Sequence, residues 1–359
     1  MLIVDSHLDV AWNALQWERD VLQSVHTIRS QEASMHGPGR TQNTVALPEM
    51  RHARIAVAIV TLLSRSTGTP AAGIDYRSPL QAHAAAHGQL AYYLALEKTG
   101  HARLLRDARQ LEEHVQEWTV WDEQHPGASD ADTPPLGFAL SMEGADPILA
   151  PSELEDWWRR GLRFLGLSHY GRGRYAGGTG VEDGLGVDAP ALLAAMAELG
   201  VFLDLTHCSD ASFWEALAVY DGPVLASHTN ARALVPHQRQ FTDDQFRAIL
   251  DRDGVIGVVT SCWQLTAGHR HGDSNRDTSL SDAVDHIEHI CNLAGDTRHV
   301  GIGSDLDGGF GREGSPHDLD TIADLQAVAG LLRARGFGED DIAHVMHGNW
   351  LRVLERALG

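Results

Sequence analysis

The chain has 359 residues, 43% of them hydrophobic and only 13 of them Pro, so it is long and apolar enough to bury a large core. Asp and Glu total 49 against 28 Lys and Arg, and the formal net charge of -21 argues against nucleic acid or an anionic membrane as a partner. The 3 cysteines are widely spaced, which excludes a disulfide framework or a zinc ribbon and fits a reducing compartment.

The N-terminal segment LIVDSHLD is an apolar run that enters the fold almost at once. It lacks the basic region and long apolar stretch of a signal peptide. No apolar run in the chain approaches the roughly 18 residues that a membrane-spanning helix needs. We therefore expect a cytoplasmic protein that binds no membrane.

Strand-like apolar runs alternate with helix-like stretches eight times along the chain. Most of the runs are continuously apolar, as expected of parallel strands that are covered on both faces. The predicted strands are residues 2–6, 54–63, 137–142, 163–168, 201–206, 223–227, 254–260 and 299–304. This alternation predicts a single α/β domain over residues 1–359, a (β/α)8 TIM barrel. An open doubly wound sheet is the competing topology.

Helix start signals support the stretches between the strands. Ser152 with Glu155, and Thr242 with Gln245, each have the spacing of a capping box. Pro79 begins a long Ala-rich stretch of the kind that forms a helix.

Two segments have the composition of loops. Residues 24–47 are polar, and we expect them to form a short hairpin or to be mobile. Residues 170–187 are rich in Gly and follow a predicted strand, which is the position of a loop on the catalytic face of a barrel.

Residues with metal-ligand or acid–base chemistry follow the predicted strands. They are His7, Asp9, Glu143, His169, His207, His228 and Asp305. The carboxyl ends of barrel strands meet at one mouth, where TIM-barrel enzymes have their active sites. The pattern predicts a hydrolase with two divalent ions at that mouth.

The individual pairs are weaker signals than the whole pattern. His7 and Asp9 lie two residues apart at a strand end, so both can face one ion, although a hydrogen-bonded pair has the same spacing. His207 and His228 end successive strands, which lie about 4.8 Å apart in a sheet, and can share an ion. Two core histidines are the alternative. Glu143 ends a third strand and can bridge two ions.

Asp305 lies in the segment GIGSDLDGG, close to Asp307, and spacing alone does not decide which of the two faces the barrel axis. Such an aspartate can hold one ion and take a proton from a metal-bound water, whose pKa the metal lowers towards about 7. His169 is surplus to two ions and is free to stabilise an oxyanion. A hydrogen-bonding role behind the ligands is the alternative.

Seven sequence boxes, taken together and in order, resemble the membrane (renal) dipeptidase family of the amidohydrolase superfamily. They are DSHLD, SMEG, LGLSH, LDLTH, LASHTNARAL, HVGIGSDLDGG and GNWLRVLERAL, and they extend over nearly the whole chain. The resemblance implies a TIM barrel of the metal-dependent hydrolase type and a two-zinc dipeptidase. It implies that one zinc is held by His7, Asp9 and Asp305, the other by His207 and His228, and that Glu143 bridges them.

The same resemblance implies substrate contacts. His169 matches the family histidine that contacts the tetrahedral intermediate, and Arg239 matches the arginine that contacts the carboxylate of the dipeptide. The resemblance also makes a homodimer plausible.

We therefore expect a zinc-dependent dipeptidase in which a metal-bridging hydroxide attacks the scissile carbonyl and Asp305 carries the proton. Two alternatives remain open on the sequence. One is another amidohydrolase reaction, on N-acyl amino acids or lactams. The other is a barrel that binds metal or ligand without turnover.

Overall fold

The computed structural model describes residues 1–125 and 133–359, and its central feature is a parallel β-barrel. The strands are β1 Ile3–Leu8, β2 Ile55–Leu63, β3 Ala102–Leu104, β4 Leu136–Glu143, β5 Leu162–Gly166, β6 Phe202–Asp204, β7 Val224–Leu225, β8 Ile256–Val258 and β9 Val300–Ile302. All eight predicted strands are present within a few residues of their expected bounds. The short β3 was not predicted and pairs with β4 outside the barrel.

The barrel closes between β7 and β8. The hydrogen-bonded order is β7-β6-β5-β4-β2-β1-β9-β8, and a parallel bridge between Ala226 and Ile256 joins its two ends. There the Gly257 amide donates to the Ala226 carbonyl at 2.8 Å, and the Ala226 amide donates to the Val255 carbonyl at 3.1 Å. The predicted TIM barrel is therefore confirmed, and the open doubly wound sheet is excluded.

The closing strands approach one another closely. A Cβ atom on Gly257 would lie 1.9 Å from the Ser227 carbonyl oxygen, so no larger residue fits at this position. The same carbonyl accepts a 2.6 Å hydrogen bond from Ser6 Oγ, which also donates to the Ile302 carbonyl at 3.0 Å. These contacts fix the strand ends of β1, β7 and β9 against one another.

Helices surround the barrel and connect its strands. They are α1 Val10–Gln16, α2 Val25–Gln31, α3 Leu47–His52, α4 Pro79–Lys98, α5 Ala108–Gln124, α6 Leu154–Arg159, α7 Ala189–Leu199, α8 Asp210–Val219, α9 Asp243–Leu250, α10 Cys262–Leu265, α11 Leu280–Ala294, α12 Ala327–Ala334, α13 Glu339–Ala343 and α14 Asn349–Leu358. Short 3-10 turns are Pro151–Glu153, Asn275–Asp277, Arg312–Gly314 and Ile322–Gln326, and a π-helical turn is His344–Gly348. Within the described ranges, no helix combines the length and the apolar character needed to cross a bilayer.

One predicted capping box is present and the other is wrong. Thr242 accepts from the Gln245 amide, and the Gln245 side chain accepts from the Thr242 amide, as predicted. Ser152 does not cap a helix, because Pro151 already starts a 3-10 turn at the residue before it. Pro sets the helical φ in advance at such a first position, so the turn begins earlier than the Ser–Glu spacing indicates.

The expectation of a short hairpin in residues 24–47 is wrong, because this segment holds α2, and buried charges anchor it. The Arg19 side chain pairs with Glu32 at 2.9 Å and donates to the Gly39 carbonyl at 2.6 Å. Arg40 reaches the same carboxylate at 2.8 Å. Asp307 lies 3.4 Å from Arg19 and completes a set that we call the Arg19 network: Arg19, Glu32, Arg40 and Asp307.

Residues 170–187 form an irregular loop, as predicted.

Candidate metal centre

The carboxyl ends of the barrel strands carry the predicted ligands. His7 is the last residue but one of β1, Asp9 begins the turn into α1, and Glu143 is the last residue of β4. His207, His228 and Asp305 each lie three residues after their strands, β6, β7 and β9. The structure thus brings all six residues, named the ligand cluster from here on, to one mouth of the barrel.

Two members of the ligand cluster have unusual backbone conformations. His207 has φ 67° and Asp305 has φ 56°, both in the left-handed region. Such a conformation costs a residue other than Gly roughly 1–3 kcal/mol and is found where function requires it. Here it turns each side chain towards the barrel axis directly after its strand.

Glu143 lies at the centre of the ligand cluster. Its Oε1 is 3.2 Å from His207 Nε2 and 3.3 Å from His228 Nε2, while its Oε2 is 3.6 Å from His7 Nε2. His7 Nε2 is also 3.9 Å from Asp9 Oδ2 and 3.9 Å from Asp305 Oδ1. Both oxygens of one carboxylate therefore lie close to imidazole nitrogens.

The donor atoms fall into overlapping groups that suit metal ions. Each group has three potential ligand atoms within 4.8 Å of one another: His7, Asp9 and Glu143; His7, His228 and Asp305; and Glu143, His207 and His228. Within the described part of the chain, His7 Nε2, Asp9 Oδ1 and Glu143 Oε1 are buried without a hydrogen-bond partner. Buried polar atoms are normally satisfied, and imidazole nitrogen with carboxylate oxygen is the ligand set of zinc. The residues present therefore fit divalent metal ions.

The pKa values of the ligand cluster favour the binding of a cation. Burial opposes charging of His7, but Glu143, Asp9 and Asp305 outweigh it and raise the pKa of His7 to about 10. Burial and the Glu143 carboxylate also raise the pKa of Asp305 to about 7. Burial and Glu143 also raise the pKa of Asp9, whereas the surrounding imidazoles outweigh burial and lower the pKa of Glu143 well below its ordinary value. A metal cation would displace the protons that His7, Asp9 and Asp305 retain.

The other two histidines of the ligand cluster, His207 and His228, have lowered pKa values and are therefore neutral. Burial, with Arg239 nearby, lowers the pKa of His207 well below its ordinary value, and burial with His7 does the same for His228. A neutral imidazole binds a metal without first losing a proton. Thr179, on the Gly-rich loop, contacts His207 Nδ1 through its hydroxyl at 2.9 Å and fixes that ring.

Two aspartates that the sequence reasoning missed hold neighbouring strand ends together. Asp5 in β1 accepts hydrogen bonds from the amide and hydroxyl of Ser304, the residue before Asp305. Asp204 in β6 does the same for Ser227, the residue before His228. The Ser227 hydroxyl is also 2.8 Å from His228 Nδ1. A Ser directly before a ligand, together with an Asp inside a strand, is the signal that could have found both pairs.

Asp305 and Asp307 have different surroundings. Asp305 faces the ligand cluster, whereas Asp307 accepts hydrogen bonds from the Thr44 amide at 2.8 Å, the Thr44 hydroxyl at 2.9 Å and the Val45 amide at 3.0 Å. The structure therefore resolves the choice that spacing left open. Asp305 lies with the candidate ligands, and Asp307 anchors the segment before α3.

A pocket lies over the ligand cluster. Its walls are largely aromatic and apolar, and include Trp12, Leu63, Tyr170, Trp263 and Phe310. His169 and Arg239 also line it, so both predicted substrate-contacting residues lie at the site.

His169 and Arg239 present polar groups to the pocket. Burial lowers the pKa of His169 to about 3, opposed by Glu143 and aided by Arg65 and Arg239. Its Nε2 is 3.9 Å from Glu143 Oε1, beyond hydrogen-bonding distance. Arg239 donates from Nη2 to the His228 carbonyl at 2.9 Å, while its buried Nη1 has no hydrogen-bond partner among the described residues. Both side chains therefore keep a polar group available for a ligand.

A closed parallel barrel with a cluster of His and carboxylate side chains at the carboxyl ends of its strands is typical of metal-dependent hydrolases. A sequence model of the membrane dipeptidase family, peptidase family M19, matches residues 1–358. The chain belongs to this family, and the resemblance seen in the sequence is confirmed.

Curated relatives match part of the chain. Dipeptidase aclJ of Aspergillus oryzae is 33% identical over 229 residues, which are 61% of this chain and 51% of that protein. An uncharacterized protein from the pqqA 5′ region of Klebsiella pneumoniae is 32% identical over 229 residues, 61% of this chain and 82% of its own length. The matched region thus spans about half the length of the fungal dipeptidase.

Solved structures resemble the whole chain. A dipeptidase described as a metallopeptidase of family M19 superposes with a TM-score of 0.79 at 23% identity, over 100% of this chain and 99% of the other. A metallopeptidase from Rhodobacter sphaeroides, liganded with a phosphinate mimic of L-Ala-D-Ala, gives a TM-score of 0.77 at 23% identity, over 99% of both chains. These similarities support the fold.

Proposed function

We propose that this chain is a two-zinc dipeptidase that hydrolyses the amide bond of dipeptides. The observation that carries the proposal is the position of Glu143, whose Oε1 lies 3.2 and 3.3 Å from two imidazole nitrogens and whose Oε2 lies 3.6 Å from a third. A carboxylate so placed can be shared by two ions. Membership of the membrane dipeptidase family supports the reaction class.

The division of the donor set into two sites follows the family resemblance. His7, Asp9 and Asp305 would hold one zinc ion, and His207 with His228 would hold the other, with all of them close enough to Glu143, His7 or His228 to form overlapping groups of potential ligands. When bound, such a pair of ions supplies a bridging hydroxide at neutral pH and polarises the scissile carbonyl.

Asp305 would carry the proton of the reaction. It faces the ligand cluster, 3.9 Å from His7 Nε2, where the attacking water would lie. Its carboxylate would take the proton of the attacking water and deliver it to the leaving amine. His169 would hydrogen-bond the oxyanion, which needs a donor only as charge develops.

Arg239 would select substrates with a free carboxylate. Its buried Nη1 lacks a partner among the described residues, and a guanidinium can hold a carboxylate through two parallel hydrogen bonds. A chain with a net charge of -21 repels anions, so a local cation is needed where an acidic substrate binds.

A turnover assay with a dipeptide library tests the proposal. The zinc-loaded protein should release free amino acids from dipeptides, and a strong chelator should stop the reaction. N-acyl amino acids and lactams serve as comparison substrates. Preferred cleavage of either class would favour another amidohydrolase reaction, and binding of zinc without turnover of any substrate would indicate a non-catalytic barrel.

A further inference from the structure

Arg65 contacts the one ring nitrogen of His169 that faces away from the ligand cluster. It lies two residues after β2, and its Nη1 is 2.6 Å from His169 Nδ1. Arginine has only N–H donors and stays protonated in proteins. His169 Nδ1 must therefore accept this hydrogen bond through its lone pair. In the neutral ring, the proton is then on Nε2.

We infer that Arg65 is a positioning residue that fixes His169 as the Nε2–H tautomer and aims this donor into the pocket. The catalytic consequence rests on the proposed function, in which His169 stabilises the oxyanion. The opposite tautomer would direct its N–H at a guanidinium and turn a lone pair towards the developing negative charge. Arg65 would act through His169 without touching the substrate.

The Arg65 side chain is itself held rigidly. Its Nε donates to Asp75 Oδ2 at 2.9 Å, and buried Asp75 also accepts from the amide and hydroxyl of Thr67, at 3.0 and 2.6 Å. The backbone of Arg65 is paired with Ile74 and Tyr76 at 2.9 and 2.8 Å. A side chain fixed by such contacts can determine the orientation of the ring it meets.

The same arrangement occurs at a second buried histidine that lies far from the pocket. Arg103 Nη1 is 3.0 Å from His114 Nδ1, and His114 Nε2 is 2.8 Å from the Ala56 carbonyl oxygen. There the acceptor on the other side of the ring independently requires the Nε2–H form. The two pairs differ in what Nε2 faces, a carbonyl at His114 and the pocket at His169.

Nitrogen NMR of protein labelled with ¹⁵N in histidine tests the tautomer directly, because protonated and bare ring nitrogens have different shifts. Spectra of zinc-loaded and chelated protein are assigned by His169→Leu and by His114→Gln. We expect Nδ1 of His169 to be bare and Nε2 to be protonated, with His114 as the internal reference. Arg65→Met should disturb the His169 signals alone, and the matched control Arg103→Met should disturb those of His114 alone.

Kinetics test the consequence for the reaction. Arg65→Met should lower kcat by about 10–100-fold with a much smaller change in KM, because the donor matters as charge develops. Arg65→Lys keeps a cationic donor and should retain more of the rate. In a His169→Leu background, Arg65→Met should add little further loss, because both changes remove the same contact.

The outcomes separate this inference from the proposed function. A proton on His169 Nδ1 in wild type, unchanged His169 signals in Arg65→Met, or a full additional loss of kcat in the His169→Leu background would overturn the inference. If Arg65→Met does not fold, the wild-type nitrogen signals of His169 still decide the tautomer, and a proton on Nδ1 overturns the inference. Arg65→Lys, which keeps a donor, should then retain the Nε2–H form. If wild type cleaves no dipeptide, the proposed function fails, and the nitrogen signals still decide the tautomer.

Discussion

Two clusters of buried charge meet at the end of β9, and they differ in whether their polar atoms are satisfied. In the Arg19 network, Glu32 is paired with two arginines and with the Thr41 amide, and Asp307 accepts hydrogen bonds from Thr44 and Val45. In the ligand cluster, atoms of His7, Asp9 and Glu143 are buried with no partner among the described residues.

The difference teaches how to separate structural charges from functional ones. A satisfied buried network contributes to the fold by joining segments, here the residues that follow α1 and β9 with residues 24–47. Buried polar atoms that lack hydrogen-bond partners and converge on one space destabilise the chain unless something binds there. Asp305 and Asp307, two residues apart, belong to opposite sides of this division.

Replacing these two aspartates with Asn should give opposite results. Asp305→Asn should reduce turnover by about 10²–10⁴-fold with little loss of stability, because it removes an acid–base group. Asp307→Asn should lower the free energy of unfolding by about 1–3 kcal/mol, because it weakens the hydrogen bonds from Thr44 and Val45 while Arg19 keeps Glu32 as a partner, and folded protein keeps its activity. Urea unfolding and kcat/KM at equal metal content measure both effects. Greater loss of turnover in Asp307→Asn would reverse the assignment.

His169→Leu tests whether this residue belongs to the reaction or to metal binding. It should retain both metal ions yet lose about 10²–10³-fold in kcat, because it removes a donor to the developing oxyanion. The loss should appear in kcat as well as in kcat/KM. Metal content measured alongside the rate decides the matter, since a variant with one ion fewer would make His169 a ligand.

Arg239→Ala should remove the preference for substrates with a free carboxylate. Wild type should cleave a dipeptide faster than its C-terminal amide by about 10–100-fold, as expected for a charge-assisted hydrogen bond in a buried site. The variant should cleave the two compounds at similar rates, and Arg239→Lys should recover little of the preference. An unchanged preference in Arg239→Ala would place the substrate carboxylate elsewhere.

His114 provides a smaller test of a fully satisfied buried histidine. Burial lowers the pKa of His114 to about 4 in the folded protein. Between pH 6.5 and pH 4 the unfolded chain therefore binds a proton at this residue, and the folded chain does not. This residue should therefore cost stability as pH falls from 6.5 towards 4, by up to about 1.4 kcal/mol per pH unit. The slope of unfolding free energy against pH should be smaller in His114→Gln, and identical slopes would show that His114 does not contribute.

The sequence predicted the barrel and the ligand cluster because each ligand follows its own apolar run. That signal is local and needs no knowledge of which strands are neighbours. Asp305 and Asp307 could not be separated in this way, because period-two alternation would place both on one face. Both residues instead adopt positive φ, 56° and 62°, which ends the alternation and turns them apart.

Other features depend on contacts between distant parts of the chain. Arg65 and His169 are 104 residues apart, and their hydrogen bond follows from side-chain reach across the barrel mouth. Residues 24–47 have the composition of a loop, and only the pairing of Arg19 with Glu32 shows that they are anchored. Composition and periodicity carry no information on such pairings.

Elemental analysis of the protein, purified without chelator, tests the central claim that the unsatisfied cluster is a two-metal site. Wild type should contain about two divalent ions per chain, and Glu143→Gln should contain clearly fewer, because Glu143 faces both groups of ligands. Asp307→Asn is the matched control and should keep the wild-type content. A metal content near zero in wild type, together with activity that a strong chelator leaves unchanged, would contradict the account.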